Sequence, residues 1–444
     1  MSHIKNWQLH QQLFALAIPM ILSNITVPLL GLVDTAVMGH LDQSYYLAGS
    51  TVGAMVITFV VWLCGFLRMS TTGLTAQAFG KKDSTLNLDI LLRGLAVALL
   101  LAITLIALQV PYINAGLYLA GGSEQVQFYA RQYSEIRIWG LPASLANLVL
   151  LGWLLGNQKA KAVMWILIVT NVCNVVLDVV FVLGFEWKVQ GVAFATLIAE
   201  YLGLTVGLTI VAKTAQGKVA AKQLVQRFKS IFQTDKMSAF FNLNRDILIR
   251  TLCLELCFVF ITFQGARLGD DIVAANAILM NFLLLISFAL DGIANAAEAL
   301  VGEAKGANGD KVHSEKMNQV VHVSLFWTLI FALVFCLFFA GAGEQLIALI
   351  TSIPEVQLLA SQYLPWMIAL PIIACWCFLF DGIYVGLMQA RVMRNSMLVA
   401  TFIGFFPMWF VLQGLGNNGL WAAFSGFMLL RGLTLAWHFR YRLR

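Results

Sequence analysis

Residues 395–430 read NSMLVATFIGFFPMWFVLQGLGNNGLWAAFSGFMLL, a run of 36 without an Asp, Glu, Lys or Arg. A helix needs about 20 apolar residues to cross a hydrocarbon core roughly 30 Å thick, so this stretch holds two crossings, divided between Gly414 and Gly419. Charge-free runs also cover 6–33, 43–67, 94–123, 138–158, 317–343 and 356–380. Spans that tolerate one or two buried charges bring the expected total to twelve. They are centred on 13–38, 47–69, 90–111, 128–152, 162–184, 189–211, 246–266, 272–299, 317–341, 360–388, 395–413 and 418–439.

Composition agrees. The chain has 444 residues, 60% hydrophobic and 11% charged, against about 25% charged in an average soluble domain. So few charges cannot cover a soluble surface, which excludes an ordinary soluble enzyme. The apolar runs are continuous and do not alternate in segments of about ten, which excludes a transmembrane β-barrel. The fold class is therefore an all-α polytopic membrane protein.

Lys and Arg are retained in cytoplasmic loops. Here the N-terminus, every second loop and the C-terminus hold basic residues such as Lys5, Lys81, Lys82, Lys159, Lys161, Lys305, Arg391 and Arg444, whereas the opposite side has only Lys188 and Arg267. Both ends are expected in the cytoplasm, in the cytoplasmic (inner) membrane of a bacterium. The net charge of +6 follows from that topology and not from nucleic-acid binding. The first apolar run is too long for a signal-peptide core and reads as a retained helix. All seven Cys lie inside spans, where they act as small apolar residues, and no zinc spacing, HExxH, GxSxG or Walker A pattern is present. No enzyme activity, metal or organic cofactor is expected.

The long polar segment 212–245, with Lys213, Lys218, Lys222, Arg227, Lys229 and Lys236, reads as a basic cytoplasmic linker between an N-terminal lobe (1–211, spans 1–6) and a C-terminal lobe (246–444, spans 7–12). A weak internal repeat relates the lobes at a spacing of about 227–231 residues. Gln77-Ala-Phe-Gly80 matches Glu303-Ala-Lys-Gly306, Leu141-Pro142 matches Leu370-Pro371, and Gly152 and Gly156 match Gly382 and Gly386. An even number of spans per half makes the repeat parallel: two pseudo-symmetric six-helix lobes around a central cleft.

Ionisable residues inside spans are expensive and mark function by default. Seven acids qualify: Asp34, Asp178, Glu200, Glu255, Asp291, Glu298 and Asp381. Asp34 and Asp178 each lie five or six residues from the outer end of a span, about 8 Å deep at about 1.5 Å per residue. Asn171, Asn174 and Asp178 follow at i, i+3 and i+7 and form one polar stripe on span 5. Thr196 on span 6 and Tyr133 on span 4 reach comparable depth. Two carboxylates buried near each other cannot easily both ionise, so one should hold a proton near neutral pH. Pro19 and Pro28 soften span 1 upstream of Asp34, either as plain kinks or as bend points.

Ile18-Pro-Met in span 1, Val33-Asp-Thr-Ala-Val-Met-Gly39 at its end, and Leu290-Asp-Gly-Ile-Ala-Asn-Ala-Ala-Glu-Ala-Leu-Val-Gly302 resemble the MATE multidrug and toxic compound extrusion transporters, the last segment their DinF-like bacterial branch. The resemblance covers nearly the whole chain. It implies a secondary active exporter of amphipathic, often cationic organic compounds, driven by protons, with Asp34, Asn174, Asp178 and Thr196 as the polar cluster that binds the coupling ion. Glu255 and Asp381, with Tyr384, resemble the sodium site of another branch and make a candidate second cation site; the other reading pairs these acids with Arg250, Arg431 and neighbouring helices. Sodium coupling and a flippase for a lipid-linked precursor stay open as alternatives, though a flippase would line its cleft with several Arg. A channel lacks a filter-like loop. The expected partners are small-molecule substrates and membrane lipid, and the expected state is a monomer.

Overall fold

The computed structural model describes residues 6–39, 44–121, 123–214, 234–307, 315–351 and 353–442, and these are helical almost throughout, with no strand among them. Lipid leaves backbone donors and acceptors no partner outside the segment, so long helices are the solution these apolar runs can adopt. Eleven described helices are long and apolar enough to span a membrane: Trp7–Pro28, Tyr45–Gly80, Ser84–Ala107, Glu124–Gly156, Ala160–Gly184, Lys188–Ala212, Ala274–Ala307, Glu315–Ile350, Pro354–Gly386, Ala390–Leu415 and Asn417–Tyr441. With Thr234–Leu268 they place a helix at each of the twelve expected positions, numbered here spans 1 to 12 in chain order.

Several helices outrun the apolar stretch that announced them. Span 9, expected at 317–341, occupies Glu315–Ile350, and span 1 is one unbroken helix over Trp7–Gly39 despite Pro19 and Pro28. Residues 215–233 of the expected linker lie outside the described residues, but its last part is not a linker: Thr234–Leu268 is a single helix that continues into span 7. Polar helix starts are capped where the sequence offers a short polar side chain. Asp83 accepts from the Leu86 amide at 2.9 Å and Ser123 from the Val126 amide at 3.3 Å, each meeting one of the amides a first turn leaves unpaired.

The chain forms two compact units, Leu22–Phe240 and a second that joins Met1–Ile21 to Phe241–Arg444. The unit boundary at Phe240 falls within the expected linker, and the first 21 residues group with the C-terminal half. The contacts explain this. Trp327 of span 9 donates its Nε1–H to His10 Nδ1 at 2.8 Å, Phe14 packs edge-on against Trp327, and Ile21 lies against Gly292. The division falls between Pro19 and Pro28.

Within each unit the repeat reappears as geometry. Spans 4 and 10 are the central helices, with most of their residues buried, whereas spans 5 and 11 are peripheral, with few of theirs buried. Gly152 and Gly156 let span 4 approach the backbone of span 2, where an added Cβ would come within 2.6 Å of Arg68 O and 2.7 Å of Thr72 O. Gly382 and Gly386 do the same for span 10 against Ala294 and Glu298 of span 8, closer still. Small residues that admit a neighbouring backbone are the principal means of packing helices where lipid removes the hydrophobic drive. Gln158 and Met388, 230 positions apart, both take left-handed backbone angles (φ 59° and 58°) just past those central helices. In each turn the next amide bonds back across the helix end, Lys159 N to Leu154 O at 2.8 Å and Gln389 N to Tyr384 O at 3.0 Å, which is how helix ends satisfy their last carbonyls.

The halves are not copies. Span 4 is interrupted by a tight turn at Ile138–Gly140 before Leu141-Pro142, while span 10 carries Pro365 and Pro371 inside one continuous helix. Bulky apolar side chains such as Leu99, Ile103, Val334, Leu337, Phe410 and Val411 remain exposed, as a lipid-facing surface requires.

Candidate functional site

Span 5 positions the polar stripe in the N-terminal unit. It is helical from Ala160 to Asp178 and passes directly into a wider π-helical turn over Val179–Gly184, a rare distortion that is frequent at functional sites and that span 11 repeats at Ala400–Phe405. Asn174 and Asp178 are one turn apart and 1% and 0% exposed, so the stripe points inward. The Asn174 amide donates to Thr196 Oγ1 at 2.9 Å, and that hydroxyl donates to Val192 O at 2.9 Å. Span 5 is thereby tied to span 6 at the residues the sequence brought together.

Asn171, three residues earlier on the same face, meets a different neighbour, span 1. Its Nδ2 donates to Thr26 Oγ1 at 2.6 Å, and Thr26 donates to Ser23 O at 2.6 Å. The stripe therefore bridges spans 1 and 6 through two amides. Thr26 was not among the expected residues; a hydroxyl between Pro19 and Pro28 is the signal that could have found it. Asp34, Gly31 and the residues between them belong to the same helix as Thr26, but the Asp34 side chain lies outside the described residues.

A cavity of about 230 Å³ opens between spans 1 and 5, lined by Thr26, Leu30, Ile168, Asn171, Val172 and Val175. Its wall is aliphatic apart from the Thr26–Asn171 pair. Apolar walls with a few placed polar groups suit an amphipathic guest. Aromatic residues, to which the sequence assigned cation–π surface, do not line it.

Tyr133 is buried in a different cluster, with Val37 and Met38 of span 1, Val182 of span 5 and Val189, Val192 and Ala193 of span 6. It stands beside Arg137 rather than on the amide stripe. Arg137 forms two parallel hydrogen bonds to Glu200 of span 6, Nη1 to Oε2 at 2.7 Å and Nη2 to Oε1 at 2.8 Å. Gly140 makes room for this pair, since a Cβ there would sit 2.5 Å from Glu200 Oε2. Glu200 is thus a structural partner that clamps span 6 to span 4. At the start of span 6, Lys188 donates to the Tyr46 hydroxyl at 2.8 Å, joining it to the start of span 2.

The C-terminal unit arranges its acids differently. Asp381 on span 10 accepts, through Oδ2, hydrogen bonds from both Arg250 of span 7 and Arg431 of span 12. Glu255 is half-buried on span 7, and among the described residues no hydrogen bond joins it to Asp381. Tyr384 donates to Leu435 O at 3.1 Å and meets His438 Nδ1 at 2.8 Å, away from both acids. Asp381 and Tyr384 of the candidate second cation site thus have separate partners. A cation at Asp381 would have to displace a guanidinium.

Comparisons with known proteins are consistent along the chain. The MatE family model matches residues 19–180 and 247–410, one match in each half. DNA damage-inducible protein F of Escherichia coli (strain K12) is 47% identical over 425 residues, covering 96% of this chain and 90% of that protein. The probable multidrug resistance protein NorM of Acinetobacter baylyi is 25% identical over 96% of this chain and 93% of its own. A solved multidrug resistance MATE family transporter of the MOP superfamily, in an outward-facing conformation, superposes with a TM-score of 0.83 at 18% identity, covering 97% of this chain and 95% of that one. At that identity the likeness establishes the fold.

Proposed function

The chain belongs to the MatE family, a family of membrane transporters and not of enzymes, and on that premise we propose that it exports amphipathic, often cationic organic compounds in exchange for protons. The observation that supports proton coupling is the contrast between the two units. In the N-terminal unit a fully buried carboxylate, Asp178, lies on the stripe whose neighbouring amides reach spans 1 and 6. In the C-terminal unit the corresponding candidate, Asp381, already answers two guanidiniums. A carboxylate that shares its site with another, as Asp178 would with Asp34, favours taking up a proton.

In this reading Asp34 and Asp178 carry the coupling proton, and Asn171, Asn174 and Thr196 transmit its presence to spans 1 and 6. The cavity beside Thr26 and Asn171 receives the substrate's apolar part. Span 1 divides its contacts between the two units at Ile21 and Leu22, so a change in how Thr26 or Asp34 is held is passed along one helix, softened at Pro19 and Pro28. A proton shifts such an equilibrium only by its differential affinity for the two states. The site of action is the cytoplasmic membrane of a bacterium, with both termini inside and the monomer as the working unit.

Transport in proteoliposomes with pH and sodium gradients imposed separately tests the proposal. Export of a fluorescent organic cation is expected with an inward proton gradient alone. Export that requires sodium and ignores the proton gradient would overturn it.

A further inference from the structure

Span 1 begins with an aromatic cluster built around one histidine. His10 lies one turn into the helix and is buried. Trp7 stacks on it at 6.0 Å between ring centres, and Trp327 of span 9 meets it edge-on at 6.1 Å. Phe14, one turn further, packs against the same indole at 4.5 Å. Trp327 donates its Nε1–H to His10 Nδ1, which ties the start of span 1 to span 9 within the C-terminal unit.

The direction of that bond fixes the state of the imidazole. An indole nitrogen only donates, so Nδ1 must present its lone pair, and His10 is neutral with its proton on Nε2. A second ring proton would make both nitrogens donors and set N–H against N–H across 2.8 Å. It would also place a charge where the two helices offer no carboxylate, because residues 6–33 and 317–343 contain no Asp, Glu, Lys or Arg. Charged and titratable groups on the elements packed here have other partners or lie elsewhere. On span 9, His322 meets Asn318 O at 2.6 Å, Lys316 pairs with Glu303 of span 8 at 2.9 Å, and Glu315 lies in the exposed first turn. Span 8 approaches span 1 where Ile21 meets Gly292. There Asp291 accepts from Ser287 at 3.5 Å, Lys305 donates to Leu387 O, and Glu298 is buried where its backbone meets Gly386 of span 10.

The bond sits where water can deliver a proton. Trp7, stacked on His10, is 68% exposed. Trp327 lies about 35 Å from the far end of span 9 at Ile350, at about 1.5 Å per residue, which places it near one edge of a hydrocarbon core roughly 30 Å thick. Histidine is the side chain whose charge ordinarily changes between pH 5 and 8.

We propose that His10 and Trp327 form a pH-sensitive latch, which holds the first part of span 1 on span 9 while His10 is neutral and releases it when the imidazole takes up a second proton. Span 1 runs unbroken from here to Thr26 and Asp34, so release loosens the helix that carries those residues. In the orientation proposed above, the latch faces the cytoplasm, where exchanged protons arrive, and acidification there opens it. That direction rests on the proposed topology, whereas the latch itself is the same for any coupling ion.

Two-dimensional ¹H–¹⁵N spectra of the indole groups test this at about pH 8 and about pH 5.5, in the full chain labelled at tryptophan and placed in lipid nanodiscs. No substrate or gradient is present, so the outcome is independent of the proposed proton exchange. The Trp327 signal is the one lost in Trp327→Phe. In the parent its Nε1–H proton is expected downfield at the higher pH. At the lower pH it should move upfield and exchange with water about tenfold faster, after correction for the intrinsic effect of pH on exchange. Hydrogen–deuterium exchange of the backbone over 7–21, corrected likewise, should rise with it. His10→Asn keeps an acceptor near the Nδ1 position that does not titrate, and should abolish both pH effects, whereas His322→Asn should retain them. A Trp327 signal that is the same at both pH values in the parent, or that still titrates in His10→Asn, would overturn the latch. An indole signal that moves while backbone exchange over 7–21 does not would overturn the release of the helix.

Discussion

Asn171 on span 5 donates its side-chain amide to the Thr26 hydroxyl of span 1 across 2.6 Å, and this bond closes one edge of the cavity in the N-terminal unit. It couples the polar stripe to span 1, a helix whose residues are divided between the two compact units at Ile21 and Leu22. Interhelical hydrogen bonds in lipid are worth about 0.6 kcal/mol on average and up to about 1.7, enough to bias a conformational equilibrium without fixing it.

Thr26→Val removes the acceptor at nearly constant volume. Efflux of an organic cation from intact cells should fall several-fold at equal protein level, and Asn171→Leu should fall similarly. The double variant should lose no more than the worse single one if the two act through their mutual bond. Additive losses would show separate roles.

Asp178→Asn and Asp34→Asn should each abolish export driven by an imposed proton gradient while leaving the amount of folded protein intact. Both replacements keep shape and hydrogen-bonding capacity and remove only the titratable proton. Drug resistance in an efflux-deficient host that equals the parent's in either variant would remove that residue from the coupling step.

Arg137 and Glu200 form a buried, doubly bonded pair between spans 4 and 6. Glu200→Ala strands the guanidinium in a low-dielectric interior, a loss on the order of 3–5 kcal/mol. Fluorescence-detected size-exclusion chromatography should show a large fall in folded protein. Replacing both residues by leucine should recover most of it, because the cost lies in the unpaired charge.

Gly156 faces the backbone of span 2, where a Cβ would lie 2.7 Å from Thr72 O. Gly156→Ala should lower stability by about 1–3 kcal/mol, since a backbone cannot step aside cheaply. Gly341, in the interior of span 9 with nothing within 4 Å of an added Cβ, is the control. Gly341→Ala should leave the melting temperature in detergent unchanged or slightly raised.

What the sequence determined by itself was everything that depends on the contrast between lipid and water. The number and order of the spans, the two halves and the glycine repeat follow from local composition, because a charge or a free backbone group in hydrocarbon is penalised wherever the chain goes next. The stripe of Asn171, Asn174 and Asp178 was legible for the same reason: helical periodicity places those residues on one face. Partner choice was not. Whether Asn174 meets Thr196 while Asn171 meets Thr26, whether Asp381 answers one arginine or two, and why Met1–Ile21 joins the C-terminal unit depend on which helices touch and at what height. Those contacts lie from 22 residues apart, for Asn174 and Thr196, to 317, for His10 and Trp327. Nothing local encodes them, because inside a membrane every helix is apolar to every other and only the close fit of small residues and a few polar pairs selects neighbours.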